Sequence, residues 1–170
     1  ATAVLSQHPE FESVVQKLIT PKYHSQYMPI EYKEGITMGM AMTEKQGGSD
    51  VRANQTQALS LDGGQYYKLT GHKWFCSAPM SDAFLSLAKV EDQLTCFFLP
   101  RWKPNGERNH IYIQRLKDKM GNHANASSEV EFNGAWAQKV GEIGAGVRTI
   151  IEMVHHTRLD ASLANASIMR

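Results

Sequence analysis

Met42-Thr43-Glu44-Lys45-Gln46-Gly47-Gly48-Ser49-Asp50-Val51 is the stretch of this sequence that carries the most structural information. It follows an alternating run, residues 36 to 42, which is typical of a strand that buries one face, and it continues as a loop of small and polar residues. Gly47 and Gly48 allow the backbone to approach a ligand or to adopt a positive φ, while Thr43 and Ser49 add hydroxyl groups. The local pattern leaves two interpretations open: a ligand-binding loop, or a surface turn whose charged side chains lie in water.

The region around this loop, from residue 36 to about 138, is mostly predicted as β-structure. Turn signals such as Asp62-Gly63-Gly64 and Glu91-Asp92 separate short runs rich in apolar and β-branched residues. The predicted strands span residues 55–60, 65–70, 84–90, 94–99, 111–116 and 128–132. The last of them alternates, and its acidic side is expected to face solvent. Short strands joined by short turns predict a small barrel or sandwich.

Helical patterns flank the β-region at both ends. The first covers residues 6 to 20, with Ser6 as the expected N-cap and Pro9 in the first turn, and the second covers residues 147 to 170. The sequence therefore predicts an α+β chain in three parts, 1–35, 36–138 and 139–170. Because the sequence has no initiator Met and its last helical pattern continues to Arg170, we expect a piece of a longer protein.

The composition is that of an ordinary globular domain. The 170 residues are 42% hydrophobic, and they carry a formal net charge of +1 with acidic and basic residues interspersed. This balance gives no electrostatic argument for a nucleic acid or an anionic membrane as partner. No apolar run approaches the roughly 18 residues of a spanning helix and no signal peptide is visible, so we expect a cytoplasmic protein. Cys76 and Cys96 lie in strand-like apolar runs rather than at metal or redox spacing, which predicts buried thiols.

Two features near the C-terminus have alternative interpretations. The glycine-rich segment 141–146 could bind phosphate, but its order differs from Gly-x-Gly-x-x-Gly and a parallel βαβ context is absent, which favours a turn leading into a helix. His155 and His156 could indicate a metal. Because adjacent residues point to different faces of a helix, and no carboxylate or thiol cluster lies at ligand spacing, no metal site is predicted.

Three segments resemble the motifs of one family. The string Met-Thr-Glu-x-x-Gly-Gly-Ser-Asp-Val at 42–51 closely resembles the flavin-binding signature of the acyl-CoA dehydrogenases. Residues 71–77 resemble the family's Gly-x-Lys-x-Trp-Ile-Thr, with Phe75 in place of Trp and Ser77 in place of Thr. Residues 117–123 resemble the family's Lys-x-Gly-x-Arg segment, with His123 where Arg is common. Three motifs in the right order are far more specific than one, and the resemblance is closest to the AidB-type, alkylation-response branch of the family.

The resemblance implies that residues 36–138 form the family's middle β-barrel domain, between the end of an N-terminal helical domain and the truncated start of a C-terminal one. It implies FAD as cofactor, with these binding residues: Met42, Thr43, Gly48, Ser49, Phe75, Cys76 and Ser77. Met42 and Thr43 are expected at the pyrimidine edge and Ser49 at the pyrophosphate, whereas Phe75 would pack against the ring and Ser77 would lie near N5 and O4. Phe for Trp keeps an aromatic wall but removes the indole N–H, and Ser for Thr loses a methyl group that restricts the rotamer. Both departures indicate a subfamily.

In this family a Glu of the C-terminal helical domain removes the α-proton of an acyl-CoA as the β-hydrogen passes to flavin N5. That Glu is expected outside this chain, so the resemblance implies no catalytic residue here and a fragment that is inactive by itself. For the complete protein it implies acyl-CoA and an electron acceptor as reaction partners, a homo-oligomer, and a role in the response to DNA alkylation, with DNA bound only through a region absent from this chain. The alternative is a non-catalytic interaction or DNA-protection module with a vestigial flavin site.

Overall fold

The computed structural model describes residues 1–169 of the chain. Seven strands form one sheet: β1 (Met38–Ala41), β2 (Gln57–Ser60), β3 (Tyr66–Cys76), β4 (Ala83–Val90), β5 (Gln93–Pro100), β6 (Ile111–Leu116) and β7 (Ser128–Val140). The helices are α1 (Thr2–Leu5), α2 (Glu12–Ile19) and α3 (Gly146–Ile168), with 3-10 turns at Pro9–Phe11, Ile30–Tyr32 and Gly48–Ala53. The predicted end of the last helix, Arg170, lies outside the described residues.

The sheet closes into a barrel. Its strands follow the order β4, β2, β3, β7, β5, and the ring closes because β5 also pairs antiparallel with β4. The weakest seam is between β2 and β4, which meet through the single parallel pair of Gln57 and Lys89. β1 extends the sheet parallel to β4, and β6 lies antiparallel along β7. The predicted α+β class and small barrel are confirmed.

Strands β4 and β5 separate two hydrophobic cores. Side chains such as Phe84 on β4 and Phe97 on β5 fill the barrel, whereas their neighbours Leu85 and Phe98 pack outward against the helices. Phe11 from the N-terminal segment contacts Phe98 with ring centroids 5.3 Å apart. A strand that is buried on both faces needs a largely apolar sequence, which explains why these two segments are mostly hydrophobic rather than alternating.

The last barrel strand is longer than its sequence pattern indicates. The sequence predicts an end at residue 132, but β7 continues to Val140. The register explains the difference, since Leu69 of β3 faces Ala135 while Thr70 faces Asn133. Gly134 is therefore the extra residue of a bulge, and its φ of 69° suits glycine.

The N-terminal helical region is broken, in contrast to the single helix predicted over residues 6–20. Ser6 lies at the C-terminal end of α1 instead of capping a helix start. His8 is extended, with φ −128° and ψ 102°, and Pro9 opens the 3-10 turn that leads into α2. A residue that precedes proline is pushed out of the helical region, so the break follows from Pro9 itself.

The acidic side of β7 does not simply face solvent as predicted. Glu131 is exposed, but Glu129 is only 6% exposed and accepts hydrogen bonds from Arg115 Nε at 2.7 Å and Lys117 Nζ at 2.8 Å. Strand β6 lies along β7 and supplies Arg115 directly. The alternation rule failed at Glu129 because a neighbouring strand covers that part of the face.

Both cysteines are free thiols in the hydrophobic cores, as predicted. Burial raises the pKa of the Cys96 thiol to about 12 and that of the Cys76 thiol to about 11. A thiol that holds its proton this firmly is a poor nucleophile and a poor metal ligand at neutral pH.

Alkaline pH is expected to destabilise the protein through Cys96. Its pKa rises from an ordinary value of 9.0 to about 12 on folding, so its stabilising contribution is complete below pH 9.0 and is lost as the pH rises towards 12. Between these limits the unfolded chain has released a proton that the folded chain retains, which lowers the free energy of unfolding by about 1.4 kcal/mol per pH unit. Denaturant unfolding at several pH values across this window measures how the free energy of unfolding depends on pH. The slope of that dependence should be shallower by this amount in Cys96→Ala than in the wild type. Because the two proteins share every other titrating group, equal slopes would contradict the assignment.

Residues 1–169 contain neither a membrane-spanning helix nor a cluster of metal-binding side chains. None of the helices there combines the length and the apolar character that crossing a bilayer requires. Within the same residues, no three His, Cys, Asp or Glu side chains come together in a way that could hold a metal ion, and His155 and His156 are exposed on α3.

Candidate functional site

The loop that follows β1 has a defined shape, which Asn54 fixes from inside. The Asn54 side chain is fully buried, and its Nδ2 donates to the Met42 carbonyl at 2.9 Å. Gly47 turns the chain with a φ of 106°, a conformation that other residues rarely adopt. Gly48 makes room for Thr43, because a Cβ at Gly48 would lie 3.1 Å from Thr43 Oγ1.

A buried ion pair ties this loop to β3. Lys73, 0% exposed, donates from Nζ to Glu44 Oε1 at 2.7 Å and to the Leu87 carbonyl at 2.7 Å. Glu44, 4% exposed, also accepts from the Gln55 amide at 2.6 Å and from the Thr56 hydroxyl at 2.6 Å. The interpretation of the loop as a surface turn with its charged residues in water is therefore wrong for Glu44, which is the centre of a buried network.

The surroundings of the pair set its titration behaviour. Burial lowers the pKa of Lys73 to about 8, and the Glu44 carboxylate opposes that shift. Burial by itself would raise the pKa of Glu44, but the attraction of Lys73 and the hydrogen bonds from Gln55, Lys73 and Thr56 outweigh it and lower the pKa. Both groups are therefore charged at neutral pH, and each compensates for the lost hydration of the other.

The first two motifs lie side by side. The Trp74 amide donates to the Thr43 carbonyl at 2.8 Å. Gly39 lies close to Ala78, the residue after Ser77, because a Cβ at Gly39 would lie 3.3 Å from the Ala78 carbonyl oxygen. The segments 39–43 and 74–78 therefore run antiparallel in contact, although they are separated by more than 30 residues in sequence.

The third motif covers the second. Lys117 Nζ lies 3.3 Å from the centroid of the Trp74 ring and 4.7 Å from that of Phe75, and Glu129 neutralises it at 2.8 Å. Lys119 Nζ holds the following turn by donating to the Asn122 and Asn125 carbonyls at 2.8 and 2.6 Å. The structure thus brings all three sequence motifs together at one side of the barrel. His123 is exposed and takes no part in these contacts.

The predicted cofactor residues fall into three groups by exposure. Gly48, Ser49, Phe75 and Ser77 are exposed, Met42 and Thr43 are half-buried, and Cys76 is buried. The Cys76 thiol packs in the barrel core beside Ala41, so only its backbone could reach a ligand. Because Ala41 and Cys76 both point inward, the alternation of the two segments places Met42, Phe75 and Ser77 on the outer side.

Sequence reasoning missed the residues that support this surface. Asn54 and Thr56 carry no pattern that distinguishes them from loop residues. Lys73 could have been recognised, because Tyr67 and Leu69 share its side of β3, and period-two alternation puts all three in the interior. A lysine at such a position needs a carboxylate nearby, and Glu44 in the neighbouring motif supplies it.

The outer side offers a flat aromatic surface next to neutral hydrogen-bonding groups. Phe75 is 43% exposed, and the hydroxyls of Ser49 and Ser77 are accessible. An aromatic wall with hydroxyl and amide donors at its edge fits a planar heterocycle that carries polar atoms along one side, and the isoalloxazine ring of a flavin is such a group.

Comparison with known proteins agrees with this geometry. Residues 39–135 match the family model described as acyl-CoA dehydrogenase, middle domain. The chain is 48% identical over 160 residues to AidB of Escherichia coli (strain K12), an alignment that covers 94% of this chain and 29% of AidB. It superposes on the Caenorhabditis elegans ACDH-11 structure in complex with C11-CoA with a TM-score of 0.78 and 30% identity, covering 92% of this chain and 28% of that one. A Bacillus anthracis acyl-CoA dehydrogenase complexed with FAD shares the fold at a TM-score of 0.58 and 23% identity, over 66% of this chain and 19% of that one.

The chain spans less than a third of the length of AidB and of ACDH-11. The match to the family model covers more than half of the 170 residues, and all three motifs lie within it. The barrel, the motifs that it brings together and these matches lead to one conclusion: the chain belongs to the acyl-CoA dehydrogenase family, contains its middle domain and is a homologue of AidB.

Proposed function

We propose that this chain forms one half of an FAD site in a larger oxidoreductase that acts on acyl-CoA. The observation that carries the proposal is the hydrogen bond from the Trp74 amide to the Thr43 carbonyl at 2.8 Å, because it joins the two flavin-type motifs into one surface. The FAD complex of the Bacillus anthracis relative and the C11-CoA complex of ACDH-11 support the cofactor and the substrate class.

In this proposal the predicted cofactor residues contact different parts of the flavin. Met42 and Thr43 hold the pyrimidine edge, and Ser49 binds the pyrophosphate through its hydroxyl and the amides of its turn. Phe75 excludes water from one face of the ring, and Ser77 donates a hydrogen bond near N5 and O4. Bound here, the flavin supplies the acceptor for a hydride from the acyl-CoA. The Glu44–Lys73 pair does not touch the ring but keeps Thr43 and Trp74 in register.

The proton-abstracting base has to come from beyond this chain. A base must flank the thioester opposite the hydride acceptor. Glu142 is highly exposed and lies 3.8 Å from Arg148, on the far side of the loop into α3, and Glu152 is exposed on the helix. Neither is positioned by a buried partner, so we assign no catalytic residue within residues 1–169.

The complete protein is proposed to be a cytoplasmic homo-oligomer that passes electrons from acyl-CoA to an acceptor. The 48% identity with AidB supports a role in the response to DNA alkylation. DNA would bind elsewhere in the protein, because this chain has a net charge of only +1. A non-catalytic module with a vestigial flavin site remains the alternative, and the titration below separates the two.

Titration with FAD tests the proposal. We expect a form of the protein extended through the helices that follow α3 to quench flavin fluorescence with a dissociation constant at least about tenfold lower than that of the 170-residue chain, because a ring covered on one face only retains much of its hydration. Ser77→Ala in the longer form should weaken binding by about threefold to tenfold through loss of one hydrogen bond. The matched control is Ser13→Ala, since Ser13 is exposed on α2.

Absence of FAD binding in both forms would refute the cofactor assignment and favour the non-catalytic module. Equal binding by both forms would show that the site is complete within this chain. Acyl-CoA-dependent dye reduction by the 170-residue chain alone would contradict the placement of the base elsewhere.

A further inference from the structure

A cavity of about 720 Å³ lies between the connector that follows α2 and the turn that follows β3. Residues 23–27 of the connector form one wall, and residues 78–82 form the opposite one. Met38 and Ile113 add apolar surface, and Arg101 closes the cavity from the end of β5. Its size is within the range of small-molecule sites, and its walls are largely apolar and aromatic.

Arg101 lines this cavity and forms no ion pair among the residues that the structure describes. It is only 8% exposed, and its Nε donates to the Ser81 carbonyl at 2.7 Å. Among residues 1–169 no carboxylate lies within 4.0 Å of the guanidinium, and no protein acceptor takes a hydrogen bond from its terminal nitrogens.

Aromatic rings hold the guanidinium in place. Its carbon lies 5.8 Å from the centroid of Tyr27, a wall of the cavity, and 5.1 Å from that of Phe84, a barrel residue. The two rings and the bond to Ser81 restrict the position of the group, so its terminal nitrogens are held in place before any ligand arrives. Such a preformed fork suits a planar anion that accepts two parallel hydrogen bonds.

The other charges of the cavity cancel. Lys33 forms a buried ion pair with Asp82 and donates further to the His24 carbonyl at 3.1 Å. The second oxygen of Asp82 accepts from the Thr37 amide at 2.9 Å. With Lys33 and Asp82 neutralising each other, Arg101 leaves the cavity with one uncompensated positive charge. Buried charges in proteins are normally paired, because the loss of hydration is otherwise costly.

We propose that this cavity binds a small organic anion, with its carboxylate or phosphate group on Arg101 and an apolar body against Tyr23, Tyr27, Met38 and Met80. The site is independent of the flavin proposal, since none of the residues assigned to FAD lines it. The anion supplies the missing counter-charge for Arg101, and the apolar body of the ligand fills the rest of the cavity.

Binding of matched probes to the 170-residue chain tests the proposal. Isothermal titration calorimetry at low salt would compare the dissociation constants of phenylacetate, phenyl phosphate and the neutral isostere phenylacetamide. We expect at least one of the two anions to bind roughly tenfold to a hundredfold more tightly than the amide, which is the usual value of hydrogen bonds to a charged group. The tighter of the two identifies the head group that the site prefers.

Two variants locate the binding. Arg101→Gln should remove the preference for the anion, whereas Arg108→Gln should leave it intact, because Arg108 stacks on the same Tyr27 ring at 5.3 Å but does not line the cavity. If Arg101→Gln fails to fold, the comparison of the three probes on the wild type still decides the question. Equal affinity for phenylacetamide and both anions, or binding that survives in a folded Arg101→Gln protein, would overturn the proposal.

Discussion

Replacing Lys73 with methionine is expected to lower the free energy of unfolding by about 3–5 kcal/mol, the usual effect of removing one partner of a buried ion pair. The substitution keeps most of the side-chain volume but leaves the Glu44 carboxylate, which is 4% exposed, without its cation. The backbone amides of Gln55 and Thr56 and the Thr56 hydroxyl remain as donors, but three neutral hydrogen bonds do not replace a positive charge. Urea denaturation of the variant and the wild type measures the loss.

The matched control for this experiment is Lys68→Met. Lys68 is an exposed lysine on the same strand, β3, and its replacement should change stability by no more than about 0.5 kcal/mol. A second readout identifies the cause. Without Lys73 the pKa of Glu44 rises, so Glu44 takes up on the order of one proton per molecule as the pH is lowered towards 5. The difference in free energy of unfolding between Lys73→Met and the wild type should therefore shrink at lower pH. A loss that is below about 1 kcal/mol, or that is independent of pH, would contradict the buried pair.

Replacing Gly146 with alanine is expected to cost about 2–3 kcal/mol, because the new methyl group has no room. A Cβ at Gly146 would lie 2.7 Å from the Leu94 carbonyl oxygen and 2.7 and 2.8 Å from backbone atoms of Thr95. These are backbone atoms of β5 and cannot rotate away. The first turn of α3 would therefore have to move off the strand, and it would take Ile150, 1% exposed, out of the core that the helices share with the barrel.

Gly121→Ala is the control for this substitution. Gly121 has no atom within 4 Å of the position of a Cβ, so alanine there should be tolerated to within about 0.5 kcal/mol. Thermal unfolding would measure both changes, and amide hydrogen exchange would show whether protection in Gly146→Ala is lost first in α3. Wild-type stability of Gly146→Ala would mean that α3 does not depend on its close approach to β5.

These two contacts fix separate parts of the chain. The Glu44–Lys73 pair holds the loop after β1 against β3, and the close approach of Gly146 to β5 holds the first turn of α3. A binding surface that is shared between two parts of a protein needs both to be rigid, since small displacements of donors weaken the bonds that they make.

Much of this protein could be predicted from local sequence patterns. Period-two alternation in residues 65–70 and the mostly apolar runs at 84–90 and 94–99 located β3, β4 and β5, because the order of apolar and polar side chains reflects which faces of a strand are buried. The three motifs identified the family, and Asp62-Gly63-Gly64 marked its turn. Errors concentrated where backbone detail decides: β7 continues past residue 132 through a bulge at Gly134, and Pro9 divides the first helical region.

Tertiary structure alone decided which of the charged residues pair with each other. Lys73 and Glu44 are 29 residues apart, and Lys33 and Asp82 are 49 apart, so no local period relates them. Arg101 resembles any arginine at the end of a strand until the connector and the turn after β3 close over it. Hydrophobic periodicity predicts which side of each segment is buried, because the burial of apolar surface is favourable whatever the partner. The pairing of charges depends on distance and on the exclusion of water, and both exist only when the barrel has closed.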